Sequence, residues 1–262
     1  MRLYRLIKMK SYYMLFLLSI LLLPELLFAE SLLRLPPLPS PEEYGDVLID
    51  RVSKEKKVTP VVFSHWVHRV KYTCRVCHYE IEFSMKSDDT PIVCDNGQMK
   101  GGYCAVCHNG KDAFGPKGED GENCSKCHNA DASPDRKKFH ELLDNLPKGK
   151  FGNEINWTKA LEEGLIKPKD SLSGGPRELV NIATLVLKAE MAGIPSAVFP
   201  HKIHEQWLDC SSCHPDLFNI KKKTTGSLRM SNMLKGESCA VCHLRVAFPL
   251  DDCKKCHPDM RR

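Results

Sequence analysis

The sequence is short of several features that mark common classes of protein. Its 262 residues include only 8% aromatic residues, and its apolar run from Met14 to Leu23 is about half the roughly 20 residues that a membrane-spanning helix needs. The first 29 residues carry four basic side chains and one acidic one, so the formal net charge of +5 falls to +2 for the remainder. That balance gives no support to a nucleic-acid-binding patch, and the basic runs 136–138 and 221–223 are read as solvated surface.

The N-terminus has the order of regions of a secretory signal peptide. The basic stretch RLYRLIKMK precedes the apolar run, and PELLFAE follows it. We expect residues 1–29 to be a signal peptide cleaved after Ala29; an uncleaved membrane anchor is the alternative. Residues 30–43, with RLPPLPSP, then form an extended Pro-rich leader. The expected location is the periplasm, with the cell surface or the extracellular space also open.

Cysteine, by contrast, is abundant, with 13 residues, and twelve of them fall into six copies of the pattern Cys-x-x-Cys-His. The six copies are Cys74, Cys77, His78; Cys104, Cys107, His108; Cys124, Cys127, His128; Cys210, Cys213, His214; Cys239, Cys242, His243; and Cys253, Cys256, His257. Two thiols at this spacing reach the two vinyl groups of one haem, and the adjacent imidazole becomes the proximal iron ligand. A zinc site or a redox dithiol would not demand a histidine after every pair. The pattern therefore predicts six covalently bound c-type haems.

The six motifs form two sets of three. The segment FSHWVH at Phe63–His68 matches FPHKIH at Phe199–His204, 136 residues later, and each precedes the first cysteine of its set by the same distance. The repeat divides the chain into module 1 at residues 44–128, a linker at 129–179 and module 2 at 180–262. In the linker, DRKKFHELLDNL and NWTKALEEGLI predict two short helices, the second ending near Gly164, and SGGP predicts a flexible joint.

Apolar stretches upstream of each set predict a small two-stranded hairpin in each module. They are VLIDRV at Val47–Val52 and LVLKAE at Leu185–Glu190, each followed by VVF or AVF; the second could equally be a helix ended by Gly193. A module of this size has about 20 residues per haem, too few for a conventional core. We therefore expect a haem-cored fold of low secondary-structure content, with short helices at the motifs.

Distal iron ligands are fewer than the haems require. Six irons have twelve axial positions, the motif histidines fill six, and five histidines remain: His65, His68, His140, His201 and His204. The pairs His65/His68 and His201/His204 recur at the same place in each module, so we expect them to be distal ligands. His140 has no counterpart and is either a surface residue or a ligand.

Thioethers are candidates for the remaining sixth ligands. Met99 and Met233 lie shortly before the second motif of each module, although either could merely pack on a haem face. Gln98 aligns with Met233 better than Met99 does, and Met230 is a rival in module 2. The odd cysteine, Cys94, is a free thiol, a thiolate ligand or one half of an intermolecular disulfide.

Together these motifs resemble the triheme c7-type cytochrome domain, which is related to the cytochrome c3 family. The matching elements are FSHWVH with CRVCH, FPHKIH with CSSCH, the CAVCHNG segment, and the closing CSKCH and CKKCH. The resemblance covers residues 44–128 and 180–257 and implies a cytochrome c3/c7-like fold, with two tandem stacks of three closely spaced low-spin haems.

The resemblance also implies a ligand set. His65 and His201 would bind the first haem of each module, and His68 and His204 the second. In small c7 proteins the third haem takes a histidine from just before the second motif, where this sequence has Met99 or Met233 and no histidine.

The expected function is electron transfer by a hexahaem carrier in anaerobic-type respiration. Its expected partners are redox proteins, namely a membrane quinol-linked donor and a downstream cytochrome or reductase, with no nucleic acid and no small-molecule substrate. The alternative is a haem enzyme that reduces a small oxyanion at an iron with an open or labile sixth site. Against that alternative, the sequence has no CxxCK variant and no plain cluster of anion-binding residues.

Overall fold

The computed structural model describes residues 35–261, apart from 87–88, 96–97, 101, 119–120, 176, 181, 190–192 and 219–227. The expected signal peptide, residues 30–34 of the leader and the basic run 221–223 lie outside the described residues. Within the described part of the chain, no helix has the length and apolar character that crossing a bilayer requires.

Helices are short throughout the described residues. The α-helices are α1 (Arg51–Lys56), α2 (His65–Arg69), α3 (Cys124–Cys127), α4 (Arg136–Asp144), α5 (Trp157–Glu162), α6 (His201–Glu205), α7 (Met230–Met233), α8 (Ala240–His243) and α9 (Cys253–Cys256). The other three Cys-x-x-Cys-His motifs lie on or beside a π-helical turn at Val76–Glu80 and 3-10 turns at Tyr103–Val106 and Cys210–Ser212. Every motif thus has the tight helical turn that the sequence predicts.

Each module begins with the expected antiparallel hairpin. Strand β1 (Asp46–Ile49) pairs with β2 (Val61–Ser64), and β7 (Leu185–Leu187) pairs with β8 (Ala197–Phe199). This confirms the strand interpretation of the second stretch over the helical one. In module 1 the expected strand is too long, because Arg51 already opens α1, whose Lys54 pairs with Asp50 one turn earlier.

Module 1 carries two further hairpins that the sequence analysis did not predict. Strand β3 (Val93–Asp95) pairs with β4 (Gln98–Lys100), and β5 (Lys117–Gly118) pairs with β6 (Gly121–Glu122). In the first of these, Cys94 lies directly opposite Met99. Both pairs are too short to leave a clear alternating pattern in the sequence.

The two predicted linker helices are present. Asp135 caps α4 by accepting a hydrogen bond from the Lys138 amide at 3.0 Å, and Asn156 caps α5 by accepting one from the Lys159 amide at 3.2 Å. Such caps contribute about 1 kcal/mol each. Helix α5 ends before Gly164, whose φ of 68° is in the left-handed region that glycine tolerates.

These helices organise a conventional apolar core that the sequence analysis did not foresee. Its buried members are Trp66, Phe139, Leu146, Ile155, Trp157, Ala160, Ile166 and Trp207. Most belong to the linker, whereas Trp66 comes from α2 of module 1 and Trp207 from module 2. The linker is therefore packed between the modules through its own core.

The modules also contact each other directly. The Arg75 amide donates to the Trp207 carbonyl at 2.9 Å, and the Arg75 guanidinium pairs with Asp209 at 3.2 Å. The Tyr44 hydroxyl, on a side chain only 2% exposed, donates to the Ala247 carbonyl at 2.6 Å. Long-range bonds of this kind fix how the two sets of motifs face one another.

Candidate haem-binding sites

Ten of the eleven histidines share one hydrogen bond. Each places Nδ1 within 2.6–3.3 Å of a backbone carbonyl oxygen. Since a carbonyl only accepts, Nδ1–H must donate, and Nε2 keeps its lone pair for a metal. These ten are the six motif histidines and the two repeated pairs, all of which the sequence analysis selected.

The carbonyl acceptors repeat between the modules. Equivalent histidines use acceptors at equivalent places: Gly45 and Ala183 for His65 and His201; Ser64 and Pro200 for His68 and His204; Phe83 and Phe218 for His78 and His214; Phe114 and Phe248 for His108 and His243; Thr59 and Pro195 for His128 and His257. The duplication therefore extends from the ligands to the groups that orient them.

Three histidine pairs face each other at the separation that one iron requires. The ring centroids of His65 and His78 are 6.5 Å apart and the rings are nearly parallel, at 8°. Those of His68 and His108 are 6.2 Å apart, and those of His204 and His243 are 6.1 Å apart. Two imidazoles whose nitrogens each lie about 2 Å from one ion bring their centroids to about 6 Å. The residues present therefore fit iron held between two imidazoles.

These three pairs join the partners that the family resemblance implies. His65 faces the first motif of module 1, and His68 faces the second. His204 likewise faces the second motif of module 2. The fourth expected pair, His201 with His214, does not show this ring contact among the described residues, although both rings keep their backbone hydrogen bonds, at 3.1 and 2.6 Å.

Burial also suits the imidazoles to iron. It lowers the pKa of His65 and of His243 to about 4, because a charged ring loses hydration there. Burial also lowers the pKa of His68, His78 and His204. These rings are therefore neutral near neutral pH, which is the protonation state that binds metal.

The motif thiols are poor candidates for bare-metal or redox sites. Burial is the main reason that the pKa of Cys77 and of Cys242 rises to about 12, and that of Cys104 and of Cys256 to about 11. A buried protonated thiol is a weak nucleophile and a weak zinc ligand. Across the described residues, no group of three or more His, Cys, Asp or Glu side chains is placed to hold a metal ion. A thioether bond to haem agrees with this setting.

The third site of each module differs from the other two. His128 and His257 donate to Thr59 and Pro195, which lie just before the second strand of the module's first hairpin. Among the described residues neither ring faces a second histidine. The sequence count leaves at least one haem without a second histidine, and the family resemblance points to the third haem of each module.

The candidate sixth ligands of these sites lie on unlike elements. Met99 is on β4, opposite Cys94, which is exposed and close enough to Cys127 to contribute to its raised pKa, after burial. Met230 and Met233 are instead at the two ends of helix α7. Cys94 forms no disulfide bond in the structure.

His140 is set apart from the other ten histidines. It is exposed on α4, and its described ring contact is with Phe139, at 5.9 Å. It has no carbonyl partner for Nδ1 among the described residues. Its surroundings favour the surface reading over ligation.

One positioning signal was readable in the sequence and was missed. At the first two sites of each module a phenylalanine follows the motif histidine by four to six residues, and its carbonyl accepts the Nδ1 hydrogen bond: Phe83, Phe114, Phe218 and Phe248. Three of these rings also contact their histidines, with ring centroids 4.6 Å apart for Phe114, 4.3 Å for Phe248 and 6.3 Å for Phe218. The recurrence of phenylalanine at this spacing could have identified the acceptors.

Thiol pairs beside oriented imidazoles, on short helical turns with little sheet, define a multihaem c-type cytochrome. A family model described as cytochrome c7 and related cytochrome c matches residues 61–129 and 197–258, together half of the chain. The chain belongs to this family, as two tandem c7-type modules.

Two solved structures are similar to this chain. One is entitled "Structure of C-terminal hexaheme fragment of GSU1996"; it is 26% identical, covers 86% of this chain and 99% of its own, and has a TM-score of 0.25. The other, "Structure of dodecaheme cytochrome c GSU1996", is 28% identical, covers 76% of this chain and 70% of its own, and has a TM-score of 0.26. No curated protein matches the chain.

Proposed function

We propose that this protein is an exported hexahaem electron carrier, in which electrons pass between neighbouring haems of two tandem modules. The carrier role is the common property of multihaem cytochromes c, the family to which the chain belongs. The observation that carries the proposal is the set of three opposed histidine pairs, because two imidazoles on one iron leave no open position for a substrate.

The motifs and their surroundings support a count of six haems. Each of the six thiol pairs has its own histidine, and each of these histidines has its Nδ1 bonded to a carbonyl. Six sites therefore share one chemical design. We also propose that the chain divides into a signal peptide (1–29), a Pro-rich leader (30–43), module 1 (44–128), a linker (129–179) and module 2 (180–262).

When bound, haem iron supplies one-electron chemistry between its ferrous and ferric states. The chain's own residues would hold each iron: the motif histidines would bind it through Nε2, and the backbone carbonyls that accept from Nδ1 fix the orientation of the rings. Fixed ligands reduce the rearrangement that accompanies each electron, which suits transfer rather than bond chemistry.

Charge sets the expected redox behaviour. With both propionates ionised, each ferric haem adds about −1 and each ferrous haem about −2, so residues 30–262 with six haems move from about −4 to about −10 on full reduction. Each added electron should therefore repel the next.

We further propose a periplasmic location, with a membrane quinol-linked donor and a downstream cytochrome or reductase as partners, in anaerobic-type respiration. The N-terminal pattern of basic, apolar and small residues supports export. The proposed partners include no nucleic acid and no small-molecule substrate.

A second candidate, reduction of a small oxyanion at a haem, is favoured by one observation. The third sites have His128 and His257 on one side and no facing histidine among the described residues. An iron there could keep an open or labile sixth position. Methionine ligation at the same two sites would remove that opening and raise the potential of the haem.

A potentiometric titration tests the carrier proposal. Haem content is first measured as the pyridine haemochrome, and absorbance is then followed as the potential is lowered. We expect about six haems per chain and a broad transition in several steps. One sharp transition for all the haems, or far fewer than six haems, would overturn the proposal.

A further inference from the structure

The charge at the end of the histidine helix is reversed between the two modules. The residue after the second distal histidine is Arg69 in module 1 and Glu205 in module 2. The Arg69 guanidinium lies over the ring of Trp207, 4.7 Å from its centroid, and over that of Trp157, 5.0 Å away. Trp207 belongs to module 2 and Trp157 to the linker, so Arg69 lies where all three parts of the chain meet.

Among the residues that the structure describes, no carboxylate forms an ion pair with Arg69 at this junction. Its Nε atom is shielded from solvent and has no hydrogen-bond partner in the structure. The titratable groups that interact with it include the Cys74 and Cys242 thiols, the Tyr44 hydroxyl and the imidazoles of His65 and His243. A cation in such a place is not neutralised by the described protein side chains around it.

Backbone and side-chain bonds join two ligand histidines across this junction. His65 donates to the Gly45 carbonyl at 2.6 Å, and the preceding residue, Tyr44, donates through its hydroxyl to Ala247 at 2.6 Å. The residue after Ala247 is Phe248, whose carbonyl accepts from His243 at 3.0 Å. Three side-chain hydrogen bonds thus connect the distal ligand of one module to the proximal ligand of the other, and the one from Tyr44 to Ala247 crosses between the modules.

The backbones also approach closely at this point. A Cβ atom placed on Gly45 would lie 3.9 Å from the Arg245 carbonyl oxygen and 4.0 Å from the Val246 Cα. Gly45 has a φ of 94°, in the region that glycine tolerates. The first site of module 1 therefore packs against the chain that follows the second motif of module 2.

The positions of two motif cysteines also place the first site of module 1 next to the second site of module 2. Cys74 lies close enough to Cys242 to interact with it electrostatically, and Arg69 lies close to both sulfur atoms. In a c-type haem these sulfurs are bonded to the edge of the macrocycle. Neighbouring sulfurs therefore bring the edges of two haems together, one from each module.

We infer that electrons cross between the modules at the first haem of module 1 and the second haem of module 2, and that Arg69 raises the reduction potential of this pair. The inference rests on the proposed function. A fixed positive charge in a medium of low dielectric constant favours the state with one more electron. Chain order alone would instead join the third haem of module 1 to the first haem of module 2.

Charge-altering variants test the role of Arg69. R69Q removes the charge, R69K keeps it, and E205Q is the matched control at the equivalent position of module 2. Potentials of individual haems are measured by NMR-monitored redox titration, with haem content and low-spin spectra as controls. We expect R69Q to weaken reduction of two of the six haems by about tenfold, which is about 59 mV for one electron, and R69K to resemble the wild type.

E205Q should leave those two haems unchanged. An R69Q protein with six unaltered potentials, a uniform shift of all six, or a shift at other haems would overturn the inference. If the wild type itself shows one sharp transition, the proposed function fails instead.

The wild type provides a test that does not depend on a variant folding. Nuclear Overhauser contacts between haem substituents identify which haems adjoin across the modules. We expect contacts between the first haem of module 1 and the second haem of module 2. Contacts between the third haem of module 1 and the first haem of module 2, in their place, would contradict the crossing point.

Discussion

The two modules hold their histidines in the same way and differ in what surrounds them. All five carbonyl acceptors of module 1 have equivalents in module 2, yet the two histidine helices carry HWVHR in one and HKIHE in the other. Trp66 is 5% exposed and packs against the linker, whereas the equivalent Lys202 is exposed. The carbonyls that orient the histidines therefore follow one design in both modules, whereas the surroundings of the histidine helix depend on the aromatic residues of the linker.

The linker explains this divergence. Trp66 meets Phe139 of α4 with ring centroids 5.2 Å apart. Arg69, one turn further along α2, reaches Trp157 of α5 and Trp207 of module 2. Among the described residues, no aromatic ring of the linker lies against α6; the linker reaches it through Arg177, whose guanidinium donates to the Glu205 carbonyl, so a polar helix face is stable there.

Removing one attachment site should have the largest effect. The double variant C74A/C77A loses both thioether bonds at the first site of module 1, and we expect five haems per chain. The equivalent C210A/C213A should also have five, but with a smaller loss of stability, because Cys74 packs against the apolar core. Pyridine haemochrome analysis and thermal unfolding measure the two effects.

Cys94 provides the control for these variants. C94A should keep six haems, since Cys94 belongs to no motif. A C94A protein with five haems, or a C74A/C77A protein with six, would refute the assignment of the motif cysteines.

Removing a distal histidine should change the spin state of a single haem. In H65A one of the six irons loses the imidazole that faces His78, and we expect a high-spin signal of about one haem by electron paramagnetic resonance. H201A should do the same in module 2. H140A should show no such signal, because His140 is exposed and lacks the oriented Nδ1 bond.

A high-spin signal in H140A, or none in H65A, would show that the carbonyl hydrogen bonds do not identify the ligands. A signal in H65A but none in H201A would show that the modules differ in the ligand frame itself, which would break the comparison.

Substitution of the buried Trp66 should lower the stability of the protein far more than substitution of the equivalent residue in module 2. Truncating a buried aromatic side chain costs about 3–5 kcal/mol, so W66A should lower the free energy of unfolding by that amount. K202A, at the equivalent exposed position, should change it by less than about 0.5 kcal/mol. Denaturant unfolding of the haem-loaded proteins measures both, and equal effects would mean that the linker covers both helices alike.

The junction hydrogen bond should have the smallest effect. Y44F removes the hydrogen bond to the Ala247 carbonyl and keeps the ring, so we expect the free energy of unfolding to fall by about 1 kcal/mol. Y79F is a matched control, because Tyr79 is 44% exposed. Unfolding monitored by circular dichroism distinguishes them, and identical values would show that the Tyr44 hydroxyl contributes nothing to the contact between the modules.

The sequence predicted the local features of this molecule well. The six motifs, the two repeated hairpins and the linker helices follow from short patterns, and the two-module family assignment is confirmed. Helix α1 was missed, because the apolar pattern of Val47–Val52 continues past the end of β1 at Ile49.

The parts that could not be predicted depend on distant contacts. The carbonyl of Gly45 is a backbone group, and its partner His65 is 20 residues away. The bond between Tyr44 and Ala247 spans 203 residues. Side-chain patterns do not encode such pairings, so the junction and the position of Arg69 needed the structure.

Carbon monoxide binding to the fully reduced protein is the most direct test of the central claim that paired histidines hold these haems for electron transfer. The titration is followed in the visible spectrum and compared with total haem. The account predicts that no carbon monoxide binds at the four sites with an observed or expected distal histidine, namely His65, His68, His201 and His204, and that any binding is confined to the third site of each module. Binding to more than two haems would contradict it.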